Sequence, residues 1–333
     1  MDRREFLIAA GAGLALAATD IRGGTEVAPQ KHRETKQGKT KVSLIRTADR
    51  TSGIQRAVDL LGINPAKGKD VLLKPNFNTA DPFPGSTHND TLSHLILQLK
   101  TMGAKSITIG ERSGPPDTAD VLQDKGIYGL CEKLGVELID FEKLPAGDWV
   151  RITPEKSSWR NGFEVARPVV ESPCVVTTCC LKTHGFGGIF SMSLKLAVGT
   201  THKRLMQELH GARQTHMRRM IAEIHQAFTP RVILMDGVDA FVDGGPSKGK
   251  LVTAGVIVGG TDRVAVDAVG LAVLKQLGSN DAIMSTKIFE QEQIQRAVEL
   301  GLGVNGPGQI EIVTADAESR AYGDTLKKIL AEG

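Results

Sequence analysis

Aromatic side chains are scarce, Phe, Trp and Tyr making up 4% of the 333 residues. So few cannot build the stacking platform that binds single-stranded nucleic acid or sugars. Only four cysteines occur, Cys131, Cys174, Cys179 and Cys180, and no CxxC is among them. A small disulfide scaffold is thereby excluded, and no ferredoxin-type cluster motif is encoded. A Cys174–Cys179 bridge would need Cα atoms within about 7 Å, whereas five residues of strand span about 16 Å. These cysteines read as small buried hydrophobes. No apolar run reaches the roughly 20 residues of a membrane span. Internal repeats and the GxxxxGK[ST] spacing of a P-loop are absent as well. What the chain does hold is 41% hydrophobic residues, ordinary for a soluble globular protein and enough for one large core or two ordinary ones.

The formal charge is +3, yet residues 42–333 carry equal numbers of acidic and basic side chains. The excess lies in the N-terminal stretch, so the basic balance gives no reason to expect a nucleic-acid partner. There, Arg3-Arg4 is followed at once by an uncharged apolar run over residues 6–18, too short to span a bilayer but right for a signal-peptide core. Ala15-Leu16-Ala17 supplies the small-x-small pattern of a cleavage site. Residues 1–19 resemble a twin-arginine (Tat) signal peptide, which implies passage through the Tat translocase after folding. The mature protein is therefore expected in the periplasm or otherwise outside the cytoplasm, with no membrane span. Tat export is commonly used for proteins that acquire a cofactor or metal before crossing. Residues 20–41 lack apolar periodicity and read as a flexible tether; residues 42–333 read as one α/β domain.

Within that domain short apolar runs alternate with segments of helical period. Strands are expected at 42–46, 70–74, 106–110, 136–141, 174–180, 232–235, 254–258 and 309–313, and long helices at 52–62, 214–228, 262–277, 286–300 and 318–330. Asp90 is a candidate cap for a helix bearing Leu92, Leu95, Ile96 and Leu99. Trp149–Ser172 alternates without helical period and reads as an antiparallel excursion, a candidate flap. This pattern predicts an α/β fold with a mainly parallel, doubly wound (Rossmann-like) sheet. Such sheets bind ligands beyond the carboxyl ends of their strands, so the residues following each strand are the candidates.

Lys74 closes an apolar strand and is followed by Pro75 and by Asn76, whose amide suits a ligand; a snorkelling lysine before a turn is the alternative. Glu111, Ser113 and Gly114 follow the 106–110 strand, in a loop that a Pro-Gly turn also explains. Thr87 and His88 precede a helix start, where exposed amides favour an anion. The densest group is Lys182, His184, Gly185, Gly187 and Gly188, then Lys195. Glycines let a backbone approach a ligand closely. Lys182 would serve as an electrostatic clamp, and His184 as general acid/base or metal ligand. His210 is a second candidate metal ligand. Asp236 and Gly237 end a strand and suit a ligand or a turn. Asp267, in an apolar setting, needs a partner, for which a Lys or Arg from a neighbouring loop is the candidate.

From about Val71 to Gly303 the chain resembles the family of domain of unknown function 362. Carrying the resemblance are LLKPN at 72–76, TH at 87–88, MGAKSITIGERSG at 102–114, LKTH at 181–184, the Lys195 helix, His210, MDG at 235–237 and VAVDAVG at 264–270. That family is found joined to or near iron–sulfur domains, which implies redox or cofactor chemistry. The chain departs from the family pattern at Glu111, where Asp is usual, and at Leu196, where Asn is usual.

These residues suggest an exported enzyme, dependent on a cofactor or metal ion, acting on a small anionic metabolite. Lys74, Lys182 and Lys195 would hold the anion. One alternative is a non-catalytic protein that carries a metal or cofactor to a periplasmic redox partner, which the lost amide at 196 suits. Another is a lactate-racemase-like site using Lys and His, by analogy alone.

Overall fold

The computed structural model describes residues 38–211 and 214–333. The signal peptide and nearly all of the tether expected from the sequence lie outside the described residues. Among those described, no helix is long and apolar enough to cross a membrane.

Among the described residues eleven strands form: β1 (Thr40–Arg46), β2 (Asp70–Lys74), β3 (Ser106–Glu111), β4 (Glu137–Asp140), β5 (Trp149–Ile152), β6 (Phe163–Ala166), β7 (Cys174–His184), β8 (Ile189–Phe190), β9 (Pro230–Gly244), β10 (Gly249–Gly260) and β11 (Ile310–Val313). The main sheet has the order β11-β1-β10-β9-β7-β2-β3-β4, with β8 attached to β7. Strands β4, β3, β2, β7 and β9 are mutually parallel, as are β1 and β11. Only β10 runs against both of its neighbours in that order. The expected mainly parallel α/β sheet is present.

Alternate residues of each strand feed two cores on opposite faces of the sheet. Along β7, Cys174 and Val176 enter one cluster, and Val175, Cys179 and Leu181 the other. All of β7 is buried, as a central strand covered by helices on both sides requires. Helices Arg50–Leu61 and Asn89–Thr101 cover one face; Met217–Ile224, Arg263–Gln276 and Ala317–Glu332 cover the other. The Arg263–Gln276 helix is apolar nearly all round, hence buried from Arg263 to Leu274. Asp262 caps it by accepting from the amides of Val264 and Ala265.

Several boundaries differ from the sequence expectation. The Asn89–Thr101 helix is capped by His88, whose Nδ1 accepts from the Asp90 amide at 3.1 Å; Asp90 is not the cap. Strands β9 and β10 run on as a hairpin past the 232–235 and 254–258 runs expected from sequence, with β7 alongside β9 as far as Phe241. The expected 286–300 helix is broken at Gln291, leaving Glu292–Glu299. Strands β5 and β6 do form an antiparallel pair. Trp149, Phe163 and the intervening Trp159 are buried in the larger core, so this excursion is part of the packed body.

The chain proceeds from β2 outward to β3 and β4, then returns to β7 on the other side of β2 and moves on to β9. The order therefore switches between β2 and β7, and a crevice forms at their carboxyl ends.

Candidate functional site

Lys74 ends β2, Glu111 ends β3, and Lys182 and His184 end β7. The strand order brings all four around one cavity of about 630 Å³, which Asn76, Gly114, Lys195 and His210 also line. This volume suits a small molecule. Among the described residues lining it, the only carboxylate is that of Glu111.

The four lysines of the lining differ in what holds them. Lys203 pairs with Glu142 and donates to the Pro116 carbonyl, both at 2.8 Å. Lys74 is 2% exposed and pairs with Glu111; its Nζ also donates to the Pro75 carbonyl at 2.7 Å. Glu111 further accepts from the amides of Phe77 and Arg112, both at 2.8 Å. Burial lowers the pKa of Lys74 and raises that of Glu111, each opposed by the partner's charge. Lys182, 1% exposed, donates to the Gly85 carbonyl at 2.5 Å, and burial lowers its pKa too. Lys195 stands on the short helix Ser193–Leu196 and faces the cavity. Among the described residues it has neither a hydrogen-bond nor an ion-pair partner. Burial, then the charges of Lys182 and Arg112, push its pKa from 10.5 down to about 7.

His184 accepts at Nδ1 from the Gly188 amide at 3.3 Å. A backbone N–H can only donate, so the neutral ring carries its proton on Nε2. Burial first, then Lys195, Lys182 and His210, hold the pKa down at about 2. The neutral ring thus offers its Nε2–H as a donor while its Nδ1 is held by that amide. His210 donates from Nδ1 to the Met206 carbonyl at 3.1 Å. Among the described residues, no three or more His, Cys, Asp or Glu gather to hold a metal ion.

Six expected ligand-binding residues lie outside the cavity lining. Thr87 accepts the Asn76 amide at 2.8 Å, fixing that loop. His88 caps a helix, as described above. Ser113 donates to the Phe77 carbonyl at 2.7 Å. Asp236 accepts from Arg50 at 2.8 Å and from Thr91, tying two helix starts to the sheet. Gly237 is required by packing, since a Cβ there would lie 2.8 Å from Val256. Asp267 is fully buried and accepts from the amides of Ser193 and Leu194 at 2.7 and 2.9 Å. Its partner is therefore the start of the Lys195 helix and not a Lys or Arg. Burial still raises its pKa to about 7.

Two residues of the site were not singled out from sequence. Arg112, 2% exposed, donates to the carbonyls of Thr201 and Ser113, both at 2.9 Å, and of Val198, folding loop 197–201 over the cavity. Its place directly after Glu111 at a strand end was the available signal. Gly199 presses on Lys74, whose Nζ would lie 2.9 Å from an added Cβ. Leu196 is an apolar part of the cavity lining.

Residues 71–272, more than half of the chain, match the family described as Domain of unknown function (DUF362). The chain belongs to that family. The match ends short of the Gly303 expected from resemblance. No curated protein matches the chain. Among solved structures, the chain is similar to the lactate racemase apoprotein from Thermoanaerobacterium thermosaccharolyticum. The identity is 13% and the TM-score 0.43, over 87% of this chain and 86% of that one. In this DUF362 member Lys74, Lys182, His184 and Lys195 converge on one cavity, while Thr87, His88, Asp236, Gly237 and Asp267 build the frame around it.

Proposed function

We propose that this protein is an extracytoplasmic enzyme that binds and transforms a small organic anion in the lysine-lined cavity. The observation that carries the reading is the charge imbalance there. Lys74, Lys182, Lys195, Lys203 and Arg112 line the cavity against one carboxylate, that of Glu111; Lys74 neutralises it, and Lys203 pairs with Glu142, which leaves Lys182, Lys195 and Arg112 without a counter-ion in the lining. Burying unpaired cations is costly, and an incoming anion relieves that cost. His184 adds an uncharged N–H donor suited to a carbonyl or hydroxyl of the ligand.

Isothermal titration of the mature protein with pyruvate, 2-oxoglutarate, lactate and inorganic phosphate tests this. At least one organic anion should bind, and binding should weaken by about tenfold or more in the Lys182→Ala/His184→Ala variant. Unchanged binding in that variant would sink the site assignment. The second reading, a carrier that does no chemistry, draws support from Leu196; turnover of a bound anion rejects it. Elemental analysis of exported protein tests the cofactor expectation separately.

A further inference from the structure

We propose that Lys195 is the covalent catalytic residue of this cavity, its ε-amine condensing with the carbonyl carbon of a 2-oxo carboxylate to give a Schiff base. The proposal rests on the anion-binding reading and names a substrate class for the same site. Four lysines line the cavity, and three of them are engaged: Lys74 with Glu111 and the Pro75 carbonyl, Lys182 with the Gly85 carbonyl, and Lys203 with Glu142 and the Pro116 carbonyl. An amine held as a donor to an anion or a carbonyl is a poor nucleophile, because its charged form is favoured. Lys195 has no such partner among the described residues. Two fixed cations, Lys182 and Arg112, bear on it and favour the free amine.

Its surroundings suit the condensation. Asp267 holds both leading amides of the helix that carries Lys195, so the main chain beneath the amine is anchored. At Gly188 an added Cβ would lie 2.9 Å from His184 Nδ1 and 3.1 Å from Lys195 Cε. The imidazole and the lysine stem therefore pack on the same bare backbone, side by side. The neutral His184 Nε2–H is a donor for the oxygen of a carbonyl under attack. A ligand whose carboxylate meets the Lys182 and Arg112 charges while its carbonyl meets Lys195 carries the two groups close together, as a 2-oxo acid does.

In the step itself the nitrogen lone pair forms a bond to the carbonyl carbon, and the C=O π pair moves to oxygen. A proton from nitrogen then reaches that oxygen, giving a carbinolamine. Loss of the hydroxyl with a second proton releases water and leaves C=N. No oxidant or reductant is consumed.

The test incubates the mature protein with pyruvate, and separately with 2-oxoglutarate, in the presence of sodium cyanoborohydride. Intact mass should rise by the mass of the probe less one oxygen atom, and peptide mapping should place the adduct on Lys195. Lactate should give none. Adduct yield should climb as the pH is raised through about 7. An adduct on Lys74, Lys182 or Lys203, or on exposed lysines alone, overturns the proposal. Mapping uses the wild-type chain, so it does not depend on a variant folding; Lys195→Met adds a control that should lose the adduct. If titration shows pyruvate or 2-oxoglutarate bound while no adduct forms, the Schiff base is rejected and the anion site stands. If no organic anion binds at all, the reading under Proposed function falls with it.

Discussion

Replacing Lys195 by Met keeps the length of the side chain and removes its charge. The consequence for stability follows from the lowered pKa. Unfolded, this lysine titrates near 10.5; folded, at about 7. Between those values the unfolded chain binds more protons, so stability rises with pH across that window. The cost of the buried ammonium is complete below about pH 7 and gone above about pH 10.5. At about 1.4 kcal/mol per pH unit, wild type carries roughly 5 kcal/mol of destabilisation at pH 6 and roughly 2 kcal/mol at pH 9. Lys195→Met should therefore be more stable than wild type at about pH 6, with the advantage shrinking by more than half at about pH 9. Urea unfolding followed by the fluorescence of Trp149 and Trp159, both buried in the larger core, measures this. A variant no more stable than wild type, or an advantage that ignores pH, would refute the account of an unpartnered, desolvated lysine.

Other perturbations separate the framework from the site. Lys74→Met and Glu111→Gln should each cost about 3–5 kcal/mol by stranding the buried partner, and the double variant should recover most of that loss; additive losses in a double-mutant cycle would deny the coupling. Asp267→Asn should cost about 1–3 kcal/mol, because one amide leading into the Lys195 helix loses its acceptor. Anion affinity should fall with it, although Asp267 does not line the cavity; titration showing wild-type affinity would remove its positioning role. Arg3→Lys/Arg4→Lys should trap the chain in the cytoplasm on cell fractionation. Export equal to wild type would end the Tat reading.

Much of the fold is legible in the amino-acid order because its signals are local. The apolar run at 70–74 is strand β2 to the residue, and Asp262 announces the helix that it caps. Signals weaken where strands run on past the apolar runs that mark them, as in the β9–β10 hairpin, whose Asp236, Asp239, Asp243, Gly249 and Lys250 extend the ladder without apolar side chains. Motif membership proved a weaker guide to position. Thr87 and His88 lie close in sequence to Asn76, yet neither lines the cavity, because the loop between them turns back and the Thr87 hydroxyl closes it. The need of Asp267 for a partner was evident from its apolar neighbours. That the partner would be the backbone of Ser193 and Leu194, more than seventy residues away, was not.

Local pattern settles that Lys74, Glu111, Lys182 and His184 stand at strand ends, since periodicity and termination are properties of a few adjacent residues. Strand order settles the rest. Lys74 finds a counter-ion because β3, which ends in Glu111, pairs with β2. Lys195 finds none because the neighbours that folding brings to it, Lys182 and Arg112, share its charge. No spacing in the sequence distinguishes the paired lysine from the unpaired one. That difference arises only when separate strands and loops are packed together, and it singles Lys195 out among the cavity's four lysines.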